Sequence, residues 1–390
     1  MVAFSKEKFD VACKYASCEN MVHPWSASCH KGAWDVYTAS VPGSAKFYSI
    51  IYLAQILMRG KSMAKKEVWI KMGEYYLRST ILGFMVSATG NQLSCLIRKI
   101  LGKFTSRSYL MIPFTINGLF IYLEPPSRRG LVINLFCNLV IEYYLRILQR
   151  AGYISLTKSK QVVMFMIGSS LLFYLMRLEG EKKQRTPLFW LFTPEKVRRK
   201  SDNSTNVCPH EGSCQKYIFK GISAYFGVGL GISLARLILP QIKNPVKAFS
   251  SISGKHFKLA LFFSSYIGIY RAVICYLCRR KGSDSALYAL PAGYIAGLSL
   301  IFSPSIGLSI ASVTAAFKLY STILYEKKIL PSNIPLPEIL YCLCQGTLFS
   351  ARVVDPDVCP SYVFNLMQTV SSGKASQVSK GFNGVIGNVL

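Results

Sequence analysis

Cysteine and histidine residues are concentrated in two short stretches of the chain. The first contains Cys13, Cys18, His23 and Cys29, and the second contains Cys208, His210 and Cys214. Thiolate sulfur and imidazole nitrogen are donors that a structural zinc ion accepts. Neither spacing is that of a standard zinc finger, and the second set is incomplete. We therefore expect free thiols and no metal or other cofactor, with a zinc cap or a Cys208–Cys214 disulfide as the alternatives.

Most of the remaining cysteines lie in apolar runs, where Cys behaves as a small hydrophobic residue. They are Cys95, Cys137, Cys275, Cys278, Cys342 and Cys344. Cys275 and Cys278 have the spacing of a redox motif, but they end an apolar segment and lack a strand–helix context. We expect most of these thiols to be reduced and structural.

Charged residues also occur inside apolar runs, where an unpaired charge is costly. Glu142 and Arg146 lie one helical turn apart, so we expect them to pair or to face the interior of a helical bundle. Arg271 and Lys318 are placed in the same way. One interpretation is a polar path for an ion or a small anion. The other, which we favour, is ion pairing between helices, together with side chains that extend to the headgroups.

Catalytic motifs are absent from the sequence. It has no Gly-x-Ser-x-Gly elbow, no phosphate-binding loop and no His-Glu-x-x-His metal motif. Its four histidines, three of them near cysteines, leave little for acid–base chemistry. We predict that the protein is not an enzyme.

The elements that carry these residues belong in a bilayer. Of the 390 residues, 51% are hydrophobic and only 16% are charged, too little polar surface for a soluble globule of this size. The net charge of +28 comes from Lys and Arg between the apolar runs, where a membrane protein meets anionic headgroups. This distribution argues against nucleic-acid binding and makes the lipid bilayer the main partner.

The apolar pattern predicts an all-α polytopic membrane protein with about nine or ten hydrophobic segments. A stretch at 46–58 is too short to cross the bilayer alone. We divide the chain into a polar Cys/His segment (1–45), a first membrane repeat (46–178), a basic polar linker (179–216), a second membrane repeat (217–356) and a tail (357–390). We expect the tail to be disordered from about residue 371.

The two membrane regions carry an internal repeat. Three residue pairs are 178 apart (291 − 113, 304 − 126 and 305 − 127): Pro113 and Pro291, Pro126 and Pro304, and Ser127 and Ser305. Each half holds about five apolar segments, and an odd number that all cross would place the second half upside down relative to the first. Lys and Arg totals on alternate loops are similar, so the orientation stays open.

Small residues recur every fourth position in the segment 217–239. They are Ser223, Gly227, Gly231 and Ala235, and such a stripe lets a neighbouring helix approach closely. Gly293 and Gly297 repeat this spacing two segments later, so we expect the two helices to pack together. A pore wall or a dimer face is the alternative, which leaves homo-oligomerisation open.

Several short motifs resemble one known family. They are His23-Pro24 with Cys29 close behind, the segment Leu96–Phe104 (LIRKILGKF), the turn Ser127–Leu131 (SRRGL), and Cys214 leading into Ile218–Gly221 (IFKG). Over nearly its whole length the chain resembles the transmembrane protein 135 family, also called peroxisomal membrane protein 52. The family's second cysteine-rich stretch is reduced here to Cys208 and Cys214, which argues against a metal role for it.

The resemblance implies a multi-pass protein of peroxisomal and mitochondrial membranes. It implies roles in peroxisome organisation, in mitochondrial fission and fusion through a dynamin-like GTPase or other fission machinery, and in lipid metabolism. It supplies no catalytic residues. Our main hypothesis is a non-enzymatic protein that recruits partners through the basic stretch Lys182–Lys200. The second is a transporter or channel for a small anion or lipid between the two halves, lined by Glu142, Arg271 and Lys318.

Overall fold

The structure is a computed structural model that describes residues 6–59, 65–179, 194–198, 207–238, 253–331 and 333–387. All regular elements in these ranges are helices, which confirms the predicted all-α class. The α-helices are α1 (Lys6–Cys13), α2 (Cys18–Met21), α3 (Cys29–Arg59), α4 (Lys66–Leu101), α5 (Met111–Asn117), α6 (Pro126–Arg150), α7 (Lys158–Leu178), α8 (Cys214–Ile238), α9 (Lys258–Lys281), α10 (Ala289–Gly297), α11 (Ile306–Glu326), α12 (Leu336–Val354), α13 (Ser361–Val370) and α14 (Lys374–Gly387).

Six helices in the described residues are long and apolar enough to cross a membrane. They are α4, α6, α7, α8, α9 and α11. Two shorter apolar helical segments, Met111–Leu123 and Ala286–Phe302, combine an α-helix with 3₁₀ turns. The nine or ten predicted segments thus include six full-length candidates. The doubtful segment 46–58 is the second half of α3, which continues as a helix through Pro42.

Helix ends follow local signals in the sequence. The residues after α4 and α9, Gly102 and Gly282, have positive φ angles of 72° and 63°, a conformation that glycine adopts without steric cost. At the N-termini, the Thr157 side chain accepts a hydrogen bond from the backbone of Lys160, and Ser305 accepts one from Leu308. These caps satisfy N–H groups that would otherwise lack a partner.

The helices form two compact units. The first unit contains residues 1–151 and 334–390, and the second contains residues 152–333. These boundaries differ from the predicted halves 46–178 and 217–356, because α7 belongs to the second unit and α12 to the first. In the second unit α7 packs against α10 and α11, and in the first unit α12 packs against α5 and α6.

The order of elements nevertheless repeats along the chain. The series α3 to α7 is followed by the series α8 to α12, and in each the third helix ends in a 3₁₀ segment. Helix α7 begins at Lys158 and α12 at Leu336, a separation of 336 − 158 = 178 residues, the same as for the prolines. Helix α7, the fifth of the first series, therefore belongs to the second unit, which otherwise consists of helices of the second series. Helix α12, the fifth of the second series, belongs to the first unit.

The C-terminal tail differs from the prediction of disorder. Residues Lys374–Gly387 form α14, on which Val378 and Phe382 are buried. The Phe382 ring stacks on Phe9 and on Tyr109, with centroids 5.7 and 5.6 Å apart. Although this segment is rich in Gly, Ser and Lys, its helix has an apolar face that packs against the N-terminal helices. The predicted linker is described only at 194–198 and from residue 207 onwards, so most of Lys182–Lys200 lies outside the described residues.

Candidate functional site

Four side chains of the first unit converge on one point. The donor atoms of Cys18, His23, Cys29 and Cys95 all lie within 4.8 Å of one another. His23 Nε2 is 3.2 Å from Cys29 Sγ, while His23 Nδ1 faces the Ser26 carbonyl oxygen at 2.7 Å. Cys18 and His23 are buried, and Cys29 is exposed. The cluster thus combines two buried donors, the half-buried Cys95 and the exposed Cys29.

Local structure places each member of this first cluster. Ser17 caps α2 by accepting a hydrogen bond from the backbone of Asn20, which orients Cys18 at the start of that helix. Cys29 is the first residue of α3, and a Cβ added at Gly32 would lie 2.9 Å from the His23 ring. Glycine at this position therefore lets the imidazole lie against α3.

Electrostatics favour a thiolate in the first cluster. A hydrogen bond from Cys95 and further ones from His23 and Cys29 lower the pKa of Cys18, against the effect of burial. Burial lowers the pKa of His23, but hydrogen bonds to Cys18, the Ser26 carbonyl and Cys29 outweigh it and raise the pKa overall. Thiolate is the form of Cys that is nucleophilic and that coordinates metals.

A second set of four donors converges in the second unit. Cys208, His210, Cys214 and Cys275 have donor atoms within 4.8 Å of one another, and all four residues are buried. Cys208 Sγ lies 3.6 Å from Cys214 Sγ, and His210 Nε2 lies 3.3 Å from Cys275 Sγ. As in the first cluster, the other ring nitrogen faces a backbone carbonyl, here that of Glu211 at 3.2 Å.

Charged residues hold the loop that carries the second cluster. The Arg198 guanidinium donates to the carbonyl oxygens of Cys208 and His210 at 3.2 and 3.4 Å. The Arg198 backbone donates to Asp284, whose carboxylate also pairs with Arg177 at 2.6 Å. The Arg177 and Asp284 side chains are 1% and 0% exposed. Arg198 and Asp284 together therefore connect the loop that carries the second cluster to Arg177 on α7.

The sequence identified three donors of each cluster but not the fourth. Cys95 on α4 and Cys275 on α9 were interpreted as small hydrophobic residues, and Cys13 was grouped with the first cluster. In the structure Cys13 lies in the apolar core beside Phe9 instead. Each cluster offers three sulfurs and one nitrogen, and four such donors can complete a tetrahedral metal site.

Three charged candidates inside apolar helices, Glu142, Arg146 and Arg271, have a partner for their side chain. Arg146 donates to Glu142 through Nε and Nη2 at 3.0 and 2.6 Å. In the second unit, Arg271 donates to the Tyr217 carbonyl at 2.8 Å, lies over the Tyr217 ring at 4.1 Å, and is 3.6 Å from Glu195. Lys318 is half-buried on α11. Glu142, Arg146 and Arg271 are therefore not isolated charges in these helices.

Small residues divide into packed and open positions. A Cβ added at Gly293 would lie 2.8 Å from the Ser169 carbonyl oxygen, and one at Gly297 would lie 2.6 Å from Met166 Cα, so α10 packs on α7 rather than on α8.

The predicted stripe on α8 does not form the packed face. A Cβ added at Gly227 or Gly231 meets no described atom within 4 Å, and Ser223 is exposed; the Ala235 side chain lies outside the described residues. Gly229 instead meets the α9 backbone at Ala260. Among the described residues, Gly229 rather than Gly227 or Gly231 is therefore the glycine at which α8 packs on α9.

A buried carboxyl group that sequence reasoning missed lies in the first unit. Glu124 is 2% exposed; Oε1 accepts a hydrogen bond from Ser79, and Oε2 has no partner among the described atoms. Ser79 also lies 3.0 Å from the Tyr52 hydroxyl, which accepts from Arg128. Burial raises the pKa of Glu124, although Ser79 and Arg78 act in the opposite direction.

An apolar cavity of about 160 Å³ lies in the first unit. Its wall includes Leu82, Phe136 and Phe349 together with Gln345. The Gln345 amide donates to the Phe114 carbonyl and to Asn117 Oδ1 at 2.9 and 2.6 Å. Because the protein itself satisfies this polar group, the cavity favours an apolar occupant.

Comparison with known proteins identifies the N-terminal region. Residues 15–149 match the family model described as the N-terminal cysteine-rich region of transmembrane protein 135. This match spans the complete first cluster and confirms the resemblance within these residues. No solved structure matches the chain.

Proposed function

We propose that this protein, whose residues 15–149 match the cysteine-rich region of transmembrane protein 135, is a non-enzymatic multi-pass protein of peroxisomal and mitochondrial membranes. Its proposed roles are in peroxisome organisation, in the balance of mitochondrial fission and fusion, and in lipid metabolism. The observation that carries the proposal is the match of residues 15–149 to the family's cysteine-rich region, together with the six helices in the described part of the chain that are able to cross a bilayer.

Partner recruitment is the proposed mechanism. The stretch Lys182–Lys200 is the basic segment between the two series of helices, and it suits an acidic surface on a dynamin-like GTPase or other fission machinery. The pairing of Glu142 with Arg146, and of Arg271 with Tyr217 and Glu195, supports a scaffold more than an anion path.

Imaging tests the location. The tagged full chain should colocalise with peroxisomal and mitochondrial markers, and protease protection of each terminus should fix the orientation. Replacement of Lys182, Lys183 and Arg185 by Glu should then reduce GTPase recruitment without moving the protein. A control that replaces Lys255 and Lys281, basic residues outside this stretch, should recruit normally. Absence from both organelles refutes the proposal.

Lipid binding is a second candidate function, and the cavity in the first unit favours it over anion transport. A dry apolar cavity of about 150 Å³ holds a benzene-sized group, so this one has room for a segment of a lipid tail. The lining residue Val132 is half-buried and can be enlarged.

A photoactivatable fatty acid tests this second function. It should crosslink to peptides that line the cavity in the wild type and less in Val132→Trp. The matched control is Val163→Trp, at a position 47% exposed on α7. Equal crosslinking in wild type and both variants would exclude lipid binding in this cavity.

A further inference from the structure

We propose that the chain binds two structural zinc ions, one held by Cys18, His23, Cys29 and Cys95 and the other by Cys208, His210, Cys214 and Cys275. Three soft thiolates and one imidazole are a donor set that selects zinc over magnesium or calcium. As each ion binds, its cysteine thiols release their protons to solvent.

Distances within the clusters agree with zinc coordination. Bonds of about 2.3 Å to sulfur and about 2.0 Å to nitrogen give tetrahedral edges of about 3.8 Å between sulfurs and about 3.5 Å from nitrogen to sulfur. The Cys208–Cys214 sulfur separation is 3.6 Å, and the two nitrogen-to-sulfur distances are 3.2 and 3.3 Å. A disulfide would use only two of the four converging donors and would give no role to the histidine.

The surroundings of the histidines fit the same conclusion. In both clusters Nδ1 faces a backbone carbonyl oxygen, of Ser26 in one and of Glu211 in the other. A hydrogen bond from Nδ1–H to a carbonyl fixes the tautomer that leaves Nε2 free to coordinate, which is the usual arrangement around metal-bound histidine. In both clusters Nε2 is the atom that faces the sulfurs.

The clusters occupy equivalent places in the two series of helices. In each series, a Cys and a His precede the first helix. The first residue of that helix is the third donor: it is Cys29 in α3 and Cys214 in α8. The fourth donor, Cys95 or Cys275, lies on the second helix, and these two are 275 − 95 = 180 residues apart, close to the repeat of 178. Two copies of one donor set at the same topological position of the repeat are not explained by scattered core cysteines.

All four positions of each cluster are taken by protein side chains, so the sites have no open position for substrate and are structural. Each ion would connect donors far apart in sequence, 95 − 18 = 77 residues in the first cluster and 275 − 208 = 67 in the second. It would fix the segment before the first helix to the second helix of its series, and would stabilise the folded state by the free energy of metal binding.

Metal analysis of the full-length protein, purified in detergent without chelator, tests the proposal. We expect about two zinc ions per chain, falling to about one in Cys29→Ser or Cys214→Ser. Cys29→His, which replaces the sulfur donor by a nitrogen donor that zinc also accepts, should retain zinc. Cys13→Ser and Cys359→Ser are matched controls, because both replace buried thiols outside the clusters. Wild type that lacks zinc and takes up none, or equal loss in the controls, overturns the proposal, as does iron in place of zinc.

Alkylation of the wild-type protein tests the first cluster without any substitution. Cys29 is exposed, so as a free thiol it should react rapidly with iodoacetamide. As a zinc ligand it should react slowly, and a chelator should speed its modification at least tenfold, as measured by peptide mass spectrometry. Rapid modification that the chelator leaves unchanged would overturn the assignment of this site.

Discussion

Replacement of Arg177 by Met should strongly destabilise the second unit. Arg177 Nη2 lies 2.6 Å from Asp284 Oδ2, and the side chains are 1% and 0% exposed. Removing one partner of such a pair leaves an uncompensated buried charge and costs about 3–5 kcal/mol. The unit spans 333 − 152 + 1 = 182 residues, and at about 2–4 °C per kcal/mol for that size the melting temperature should fall by about 6–20 °C.

Thermal unfolding of the purified full chain in detergent measures this effect against a matched control. Arg78 pairs with Glu74 at 2.9 Å, but the two side chains are 49% and 50% exposed, so Arg78→Met should cost less than about 1 kcal/mol. The double variant Arg177→Met with Asp284→Asn buries no unpaired charge and should regain part of the loss. If Arg177→Met melted within about 2 °C of Arg78→Met, the buried pair would not stabilise the unit.

Three further outcomes are expected. Phe382→Ala should cost about 3–5 kcal/mol of local stability and expose α14 to protease, whereas Val11→Ala, at a residue 72% exposed, should not. Gly297→Leu should lower the melting temperature because its Cβ would lie 2.6 Å from the α7 backbone, while Gly227→Leu should be tolerated. Burial raises the pKa of Glu124, so between the unfolded and the folded pKa the folded state keeps a proton that the unfolded state has released. The stability of the folded state should therefore fall as the pH rises from the unfolded pKa through the folded pKa. Glu124→Gln should reduce that fall in a series of melting curves measured at different pH values.

Apolar periodicity predicted the helices but not their neighbours. The length and hydropathy of α4, α6, α7, α8, α9 and α11 are visible in the sequence because crossing a bilayer demands them. The exchange of α7 and α12 between the units is not visible, because an apolar face does not specify which helix covers it. Packing depends instead on local shape, as where Gly168 of α7 meets Ser312 of α11 and Gly346 of α12 meets Thr115 of α5.

The C-terminal helix shows a different limit. Glycine, serine and lysine indicate disorder by composition, but Val378, Phe382 and Val385 are spaced by four and three residues, as on one face of a helix. Those three side chains contact the apolar core of the first unit. A segment of disorder-like average composition can therefore fold as a helix when it has a short apolar face and a complementary apolar surface covers that face.

The metal clusters illustrate how a repeat can supply information that linear spacing lacks. Cys13, Cys18, His23 and Cys29 lie within 29 − 13 = 16 residues, and their non-standard spacing predicts free thiols if only nearby residues are considered. In the structure Cys13 is not among the converging donors, which leaves three nearby donors without a fourth. The missing donor lies on a membrane helix, where cysteine is usually a small hydrophobic residue. The 178-residue repeat distinguishes the two cases, because it aligns the second helices of the two series and brings Cys95 and Cys275 almost into register. A cysteine that recurs within two residues of the repeat beside an incomplete donor set is better interpreted as its fourth ligand than as packing.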